Sequence, residues 1–264
     1  MNTTTTAKVA PALRALLERL IDYAGIYPPA ALPLETSVAN YSSYQSSEFS
    51  WMLRWLVIGS AELQNVPKSL DGCISLLSET DDNRAAALET KSVVEAKHPV
   101  YCEVAVSNLE QLDAVKAAGC YAKIRTGGVK PEAIPSAKDV AAFIVACAEH
   151  RLPFKATAGL HHPIRAEYAL TYESDAPRAV MHGFLNVLLG AAFAWQGEKN
   201  IEAIIGETDA TAFTFNGDAK WRGLTLSADA IKDARQNFMH SIGSCSFDEP
   251  VHELQGLGLL PKTI

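Results

Sequence analysis

Apolar positions along this chain follow two periods. In "VAPALRALLERL", Val9 to Leu20, they recur at helical spacing, which predicts a first helix. Beyond it, short apolar runs ending in Gly, Ser, Thr or charged residues alternate with longer helical stretches. The short runs predict strands near 20–25, 51–58, 72–77, 100–106, 120–126, 153–158, 212–216 and 239–245. Helices are predicted near 34–46, 61–67, 83–96, 108–118, 136–150, 175–196 and 226–238. Asn108 and Ser136 stand where N-caps belong, and Gly119 where a helix-terminating glycine belongs.

Eight strands alternating with helices predict an α/β fold, a (β/α)8 TIM barrel, with the extra N-terminal helix covering the bottom of the barrel. The length of 264 residues fits one such barrel. A doubly wound open sheet is the rival, but no GxGxxG or GxxxxGK[ST] follows the first strand. Residues 1–7 are expected to be disordered and residues 8–264 to form a single domain, with no internal repeat or linker. The longest irregular stretch, 159–174, is expected to be a binding loop.

Composition narrows the partners. With 48% hydrophobic and 20% charged residues the chain reads as soluble and globular. Its formal charge of −7 argues against nucleic acid, which needs a basic face. A small anionic substrate held by a few local cations remains open. The five cysteines (Cys73, Cys102, Cys120, Cys147 and Cys245) are scattered and odd in number, which fits buried, reduced thiols. The N-terminus has no apolar core of signal-peptide length, and "GFLNVLLGAAFAWQG", 183–197, is too short to span a bilayer. It reads as a buried helix. The expectation is a cytoplasmic protein with a small-molecule substrate and no membrane partner. A homo-oligomer is left open.

In a barrel, chemistry sits at the C-terminal ends of the strands. The first predicted strand ends at Asp22, the fourth contains Glu103, and the fifth contains Lys123 and Arg125, followed by Gly127 and Gly128. The sixth, "FKATAG", contains Lys155 and Thr157, and His161 and His162 follow it. The eighth ends in "GSCSFDEP", with Ser244 and Ser246. Strand side chains alternate with a period of two. If Phe154 and Ala156 pack outward, Lys155 and Thr157 point inward, as do Lys123 and Arg125. Three cations would then meet at one mouth, faced by Glu103. Like-charge repulsion would depress the Lys155 pKa and let its amine attack a carbonyl. Alternatively the lysine stays charged and holds an anion or an enolate. The structural alternative is a buried charge network, which is poor support for stability because each desolvated ion costs several kcal/mol. The turns around Gly127–Gly128 and Ser244–Ser246 suggest anion binding by backbone N–H groups, although glycine turns also arise from chain geometry alone.

"FKATAG" resembles the sixth-strand motif of deoxyribose-phosphate aldolase, a class I aldolase, through Lys155, Thr157 and Gly159. The resemblance implies a Schiff-base lysine at Lys155. That family also uses a second lysine on its seventh strand. Here the predicted seventh strand, "AFTFN", carries none, Lys220 follows it, and Lys123 lies on the predicted fifth. The chain as a whole resembles an uncharacterised bacterial TIM-barrel family through "DYAG", "PPA", "KIRTGG", "KATAGLHHP", "HGFLNVL" and "GSCSFDEP".

Three functions follow. The first is a lyase of aldolase type with no cofactor, acting on a small oxygenated anionic carbonyl compound. Lys155 would be its nucleophile and Lys123 would tune it. Glu103, Asp22 or His161 would move protons, while Arg125, Thr157, Gly127, Gly128, His162, Ser244 and Ser246 would bind substrate. The second is a metal-dependent lyase, isomerase or hydrolase in which Glu103, His161 or His162, and His182 hold a divalent ion. No HxH or HExxH spacing supports it. The third is a pocket that binds without turnover.

Overall fold

The structure, a computed structural model, describes residues 9–262. The expected disorder of residues 1–7 lies outside the described residues. Eight parallel strands close into a barrel: β1 (Ile21–Tyr23), β2 (Leu53–Gly59), β3 (Ile74–Leu77), β4 (Ala85–Thr90), β5 (Val100–Glu103), β6 (Tyr121–Arg125), β7 (Phe154–Thr157) and β8 (Met239–Ser244). Each strand neighbours the next in sequence, and β8 closes onto β1 through Asp22 opposite Gly243. This is the α/β TIM barrel that the alternating pattern predicts.

The helices are α1 (Pro11–Leu17), α2 (Leu34–Gln45), α3 (Gln111–Ala117), α4 (Ala137–Glu149), α5 (Phe184–Trp195), α6 (Glu202–Ile205), α7 (Ala228–Asn237) and α8 (Asp248–Gly256). They are unevenly spread. From β2 to β5 the connections hold only short 3-10 turns and loops. Between β7 and β8 lie two small antiparallel sheets and three helices. Helix α4 begins with a full capping box, Ser136 with Asp139, as its sequence suggests. Gly119, at φ +70°, ends the α3 region as expected, whereas Asn108 makes no side-chain cap. Helix α5 is buried from Phe184 to Ala194, which matches the reading of that apolar run as a core helix. No described helix is long and apolar enough to cross a membrane.

Several predicted elements differ: the predicted helix 61–67 is a short 3-10 turn, Leu63–Asn65, and the stretch 159–174 expected to be irregular holds a strand, Ala166–Ala169. Three further differences bear on the barrel, and one of them changes the site. Residues 83–96, rich in Ala, Leu and Glu, have strong helix propensity. Ala85–Thr90 is nevertheless a barrel strand paired on both sides, with β3 and with β5. Propensity differences of a few tenths of a kcal/mol per residue are overridden by pairing to a strand on each side and near-total burial. Conversely, the predicted seventh strand, Phe213–Phe215, lies outside the barrel. It forms a meander with Asp218–Trp221 and Leu224–Ser227, turned at Asn216–Gly217 and Arg222–Gly223. The Asn-Gly pair is a hairpin signal already present in the sequence. Third, the predicted helix 175–196 splits at Gly183 into a strand, Arg178–Met181, and α5. A side chain at Gly183 would collide with the Arg165 backbone nitrogen at 2.5 Å, so the loop after β7 presses directly on this junction.

The strand count therefore stays at eight while its membership changes. Lys123 lies on the sixth strand and Lys155 on the seventh, with these two residues opposite each other in register. At the end of β7 the chain turns sharply through Ala158 (φ +63°) and Gly159 (φ +76°), both left-handed. A Cβ at Gly159 would sit 3.0 Å from the Gly127 Cα. Two loops thus touch backbone to backbone at the top of the barrel. Gly159→Ala combines left-handed strain with that collision. It is expected to destabilise the protein by about 1–3 kcal/mol, read as a lower urea midpoint at unchanged slope.

Candidate functional site

The barrel interior carries a chain of alternating charges. Lys155 Nζ donates to Asp22 Oδ2 at 2.5 Å and to Glu89 Oε1 at 2.6 Å. Lys123 Nζ lies 3.5 Å from Glu89 Oε2 and 3.2 Å from Glu103 Oε2. The order Asp22, Lys155, Glu89, Lys123, Glu103 crosses the barrel from β1 through β7, β4 and β6 to β5. Hydroxyls complete it. Ser75 Oγ donates to Glu89 Oε1 at 2.8 Å, and Ser241 Oγ donates to Asp22 Oδ2 at 2.7 Å. Asp22 Oδ1 is buried with no hydrogen-bond partner among the described residues.

This arrangement corrects the expectation of three converging cations. Arg125 is exposed at the rim instead of buried beside the lysines. The two lysines inside are balanced by three carboxylates, so their amines do not face each other unscreened. Burial alone would lower the Lys155 pKa, but the charges of Asp22 and Glu89 outweigh it and hold the pKa above the ordinary lysine value. The direction is the reverse of the predicted depression. Burial likewise opposes ionisation of Glu89. Lys155 and Lys123 overcome it and hold its carboxyl below the usual range.

Access separates the two lysines. The Lys155 side chain is fully enclosed, whereas that of Lys123 retains 7% exposure. Lys123 and Glu89 form the charged floor of a cavity of about 250 Å³ at the C-terminal ends of the strands. Its walls are mainly apolar: Pro28 and Pro29 on one side, Val57 and Leu77, and Leu170 and Met181 from the long β7–β8 connection. Tyr27 adds a hydroxyl whose pKa is raised by burial and by Glu62 and Glu89, so it stays protonated. Arg125, Thr157, Gly128, His161 and Cys245 are also among the lining residues.

The remaining predicted site residues divide by position. His161 faces the cavity, with Nδ1 3.2 Å from Ser244 Oγ and 3.6 Å from Cys245 Sγ. Burial, with His162 adding to it, lowers its pKa to about 4, so its imidazole is neutral at pH 7. Cys245 thus does have a histidine beside it, but burial raises the thiol pKa and leaves it protonated at pH 7. His162 turns away from the cavity. Its Nδ1 lies 2.6 Å from Glu253 Oε1, and its ring stacks on Tyr168. Ser244 Oγ donates to the Ser246 carbonyl, and Ser246 Oγ accepts from the Glu249 N–H at the start of α8. Neither serine lines the cavity. Gly127 serves the close packing against Gly159, while Thr157 Oγ1 donates to the Ile124 carbonyl at 3.3 Å.

The expected metal set is not assembled. Glu103 pairs with Lys123 and His161 with Ser244, while His182 sits between the Pro135 carbonyl, at 2.8 Å, and Arg165. Among the described residues, the group with metal-ligand spacing is His162, Glu249 and Glu253, whose ligand atoms lie within 4.8 Å of one another. None of these three lines the cavity.

Glu89 is the functional residue that sequence reasoning misses, because it lies inside a predicted helix. One signal was available. Asp81-Asp82-Asn83 before it and Lys91-Ser92 after it bound a segment of strand length.

Glu89→Gln leaves two buried ammoniums without their shared carboxylate. A loss of about 3–5 kcal/mol at pH 7 is expected. The stabilisation from Glu89 is full above its unfolded pKa of about 4.3 and fades as pH falls toward its folded pKa of about 2. Urea denaturation across this range should show a steep acid limb in the wild type and a flatter one in the variant.

No family model matches the chain, and a search of curated proteins found no match.

Proposed function

We propose that this barrel is a lyase of the aldolase type, in which Lys123 forms a Schiff base with a small carbonyl compound and Lys155 serves as a fixed cation. The observation that carries this reading is that Lys123 borders the cavity while Lys155 is sealed beneath it between two carboxylates. TIM barrels commonly carry catalysis at this end. Lysines on strands six and seven also agree with the two-lysine pattern of the class I aldolase that "FKATAG" resembles. The amine, however, is on the strand before the motif.

In this mechanism Glu103, 3.2 Å from Lys123, accepts a proton from the ammonium and frees the amine. The amine adds to the substrate carbonyl. The resulting carbinolamine loses water, taking a proton from Glu103, and leaves a cationic iminium. Glu89, kept ionised by Lys155, lies beside that new charge and stabilises it. The iminium accepts the electron pair of the breaking carbon–carbon bond and becomes an enamine, while the departing fragment gives its hydroxyl proton to Glu103, ionised again by then, and leaves as a carbonyl; that proton then goes to the enamine carbon. Protonation of the enamine and hydrolysis return Lys123. Asp22 acts through Lys155 as a positioning residue. The apolar walls favour a substrate with a hydrocarbon body, and Arg125 at the rim suits a single anionic group.

Borohydride reduction in the presence of pyruvate and a series of aliphatic aldehydes and keto acids tests this. A reduced adduct is expected on the Lys123 peptide and none on the Lys155 peptide. The absence of a Lys123 adduct with every compound sinks the proposal. Glu103→Gln is expected to slow adduct formation by roughly 10²–10⁴-fold, measured by intact-protein mass against time, with the melting temperature as the check on folding.

A further inference from the structure

The opposite end of the barrel holds a second cavity, of about 450 Å³. It opens at the N-terminal ends of the strands, beside Arg54 and Trp55 of β2, Tyr101 of β5, Tyr121 of β6 and His240 of β8. This face of a barrel normally serves stability.

Its charge is out of keeping with the rest of the molecule. The whole chain is acidic, at −7, yet four cations (Arg19, Arg54, Lys232 and Arg235) meet one carboxylate, Glu18, around this cavity. Glu18 pairs with Arg14, outside the lining, at 3.6 Å. None of the four cations forms an ion pair among the described residues. Arg235 is buried and spends its guanidinium on the carbonyls of Leu16, Glu18 and Met239. Its partners are neutral groups.

Arg54 is the informative residue. Its Nη1 donates to Ser241 Oγ at 2.8 Å and its Nη2 to Tyr101 Oη at 3.2 Å. Its guanidinium stacks 3.7 Å above the Trp55 ring. These contacts hold the group in place and half-bury it, but every partner is neutral. Four cations gathered in a recess with a single carboxylate repel one another, and an anion relieves that cost. Planar guanidinium groups suit oxyanions, which they bind through paired N–H donors. Aromatic rings beside them leave room for a ligand with a flat body as well.

We infer that this cavity is a binding site for a small multivalent oxyanion, a phosphate or carboxylate compound, held between Arg19, Arg54 and Lys232. The site is separate from the cavity floored by Lys123. Through Arg54, Ser241 and Asp22 it is nonetheless joined by hydrogen bonds to Lys155. The inference stands whether or not Lys123 forms a Schiff base.

Isothermal titration of sodium pyrophosphate and sodium citrate at matched ionic strength tests it. Saturable binding of one anion per chain is expected for at least one probe, and the tighter of the two identifies phosphate or carboxylate chemistry. In the Arg19→Gln/Lys232→Gln double variant, affinity should fall roughly tenfold or more. Both side chains are exposed, and an unchanged melting temperature verifies the fold. Lys130→Gln, an exposed site on the loop after β6 that lines neither cavity, should bind as the wild type does. No saturable heat with either probe overturns the inference. So does binding that survives the double variant, or binding lost in Lys130→Gln.

Discussion

A carboxylate shared by two buried ammoniums organises this barrel. Glu89 offers one oxygen to Lys155 and the other to Lys123, so neither lysine is buried without a counter-charge. Removing one member strands at least one ion in a medium where an unpaired charge costs several kcal/mol. The network therefore constrains which strands must be neighbours. β4 has to stand where Glu89 reaches both β6 and β7, and β1 where Asp22 reaches β7. Ser75 and Ser241 add donors to Glu89 and Asp22 from β3 and β8. Seven of the eight barrel strands contribute a side chain to this one set of contacts.

The same network gives two chemically identical side chains different surroundings. Lys155 has two carboxylates at hydrogen-bond distance and no access to the cavity. Lys123 has two at longer distances and a face open to it. A tightly paired ammonium is a poor nucleophile but a good electrostatic anchor. Position in the charge chain, rather than residue type, sets the different surroundings of the two lysines. The apolar walls above the floor strengthen this contrast, since charges interact more strongly where water is scarce.

Polar order continues below the network. Ser241 links Asp22 to Arg54, and Tyr101 separates Lys155 from His240, with the lysine 5.4 Å from the Tyr101 ring centre. The interior is thus a column of polar groups from one mouth to the other, enclosed by an apolar layer in which Phe143, Phe154 and Phe238 pack edge to face outside the barrel. Burying such a column is tolerable because almost every member has a partner. Asp22 Oδ1 is an exception.

Local sequence determined much of this. Period-two alternation in "YAKIR" and "FKAT" placed Lys123 and Lys155 on the inner face, because strand geometry leaves no other choice once Ile124 and Ala156 are buried outside. Helical spacing and the Ser136 cap marked α4, and the apolar run after Gly183 marked a core helix. Alternation also sent Arg125 inward. It fails there because the strand ends at that residue, where a long side chain can leave the barrel for water. Tertiary structure alone decided that "AAALET" is a strand. Its helix propensity is a local quantity, whereas its place between β3 and β5 depends on residues far along the chain. With that strand came Glu89, which pairs with Lys155 and helps to hold its pKa above the ordinary lysine value. A pKa in a protein interior is set by neighbours in space, and the neighbours that matter here lie 66 and 133 residues from Lys155 in sequence.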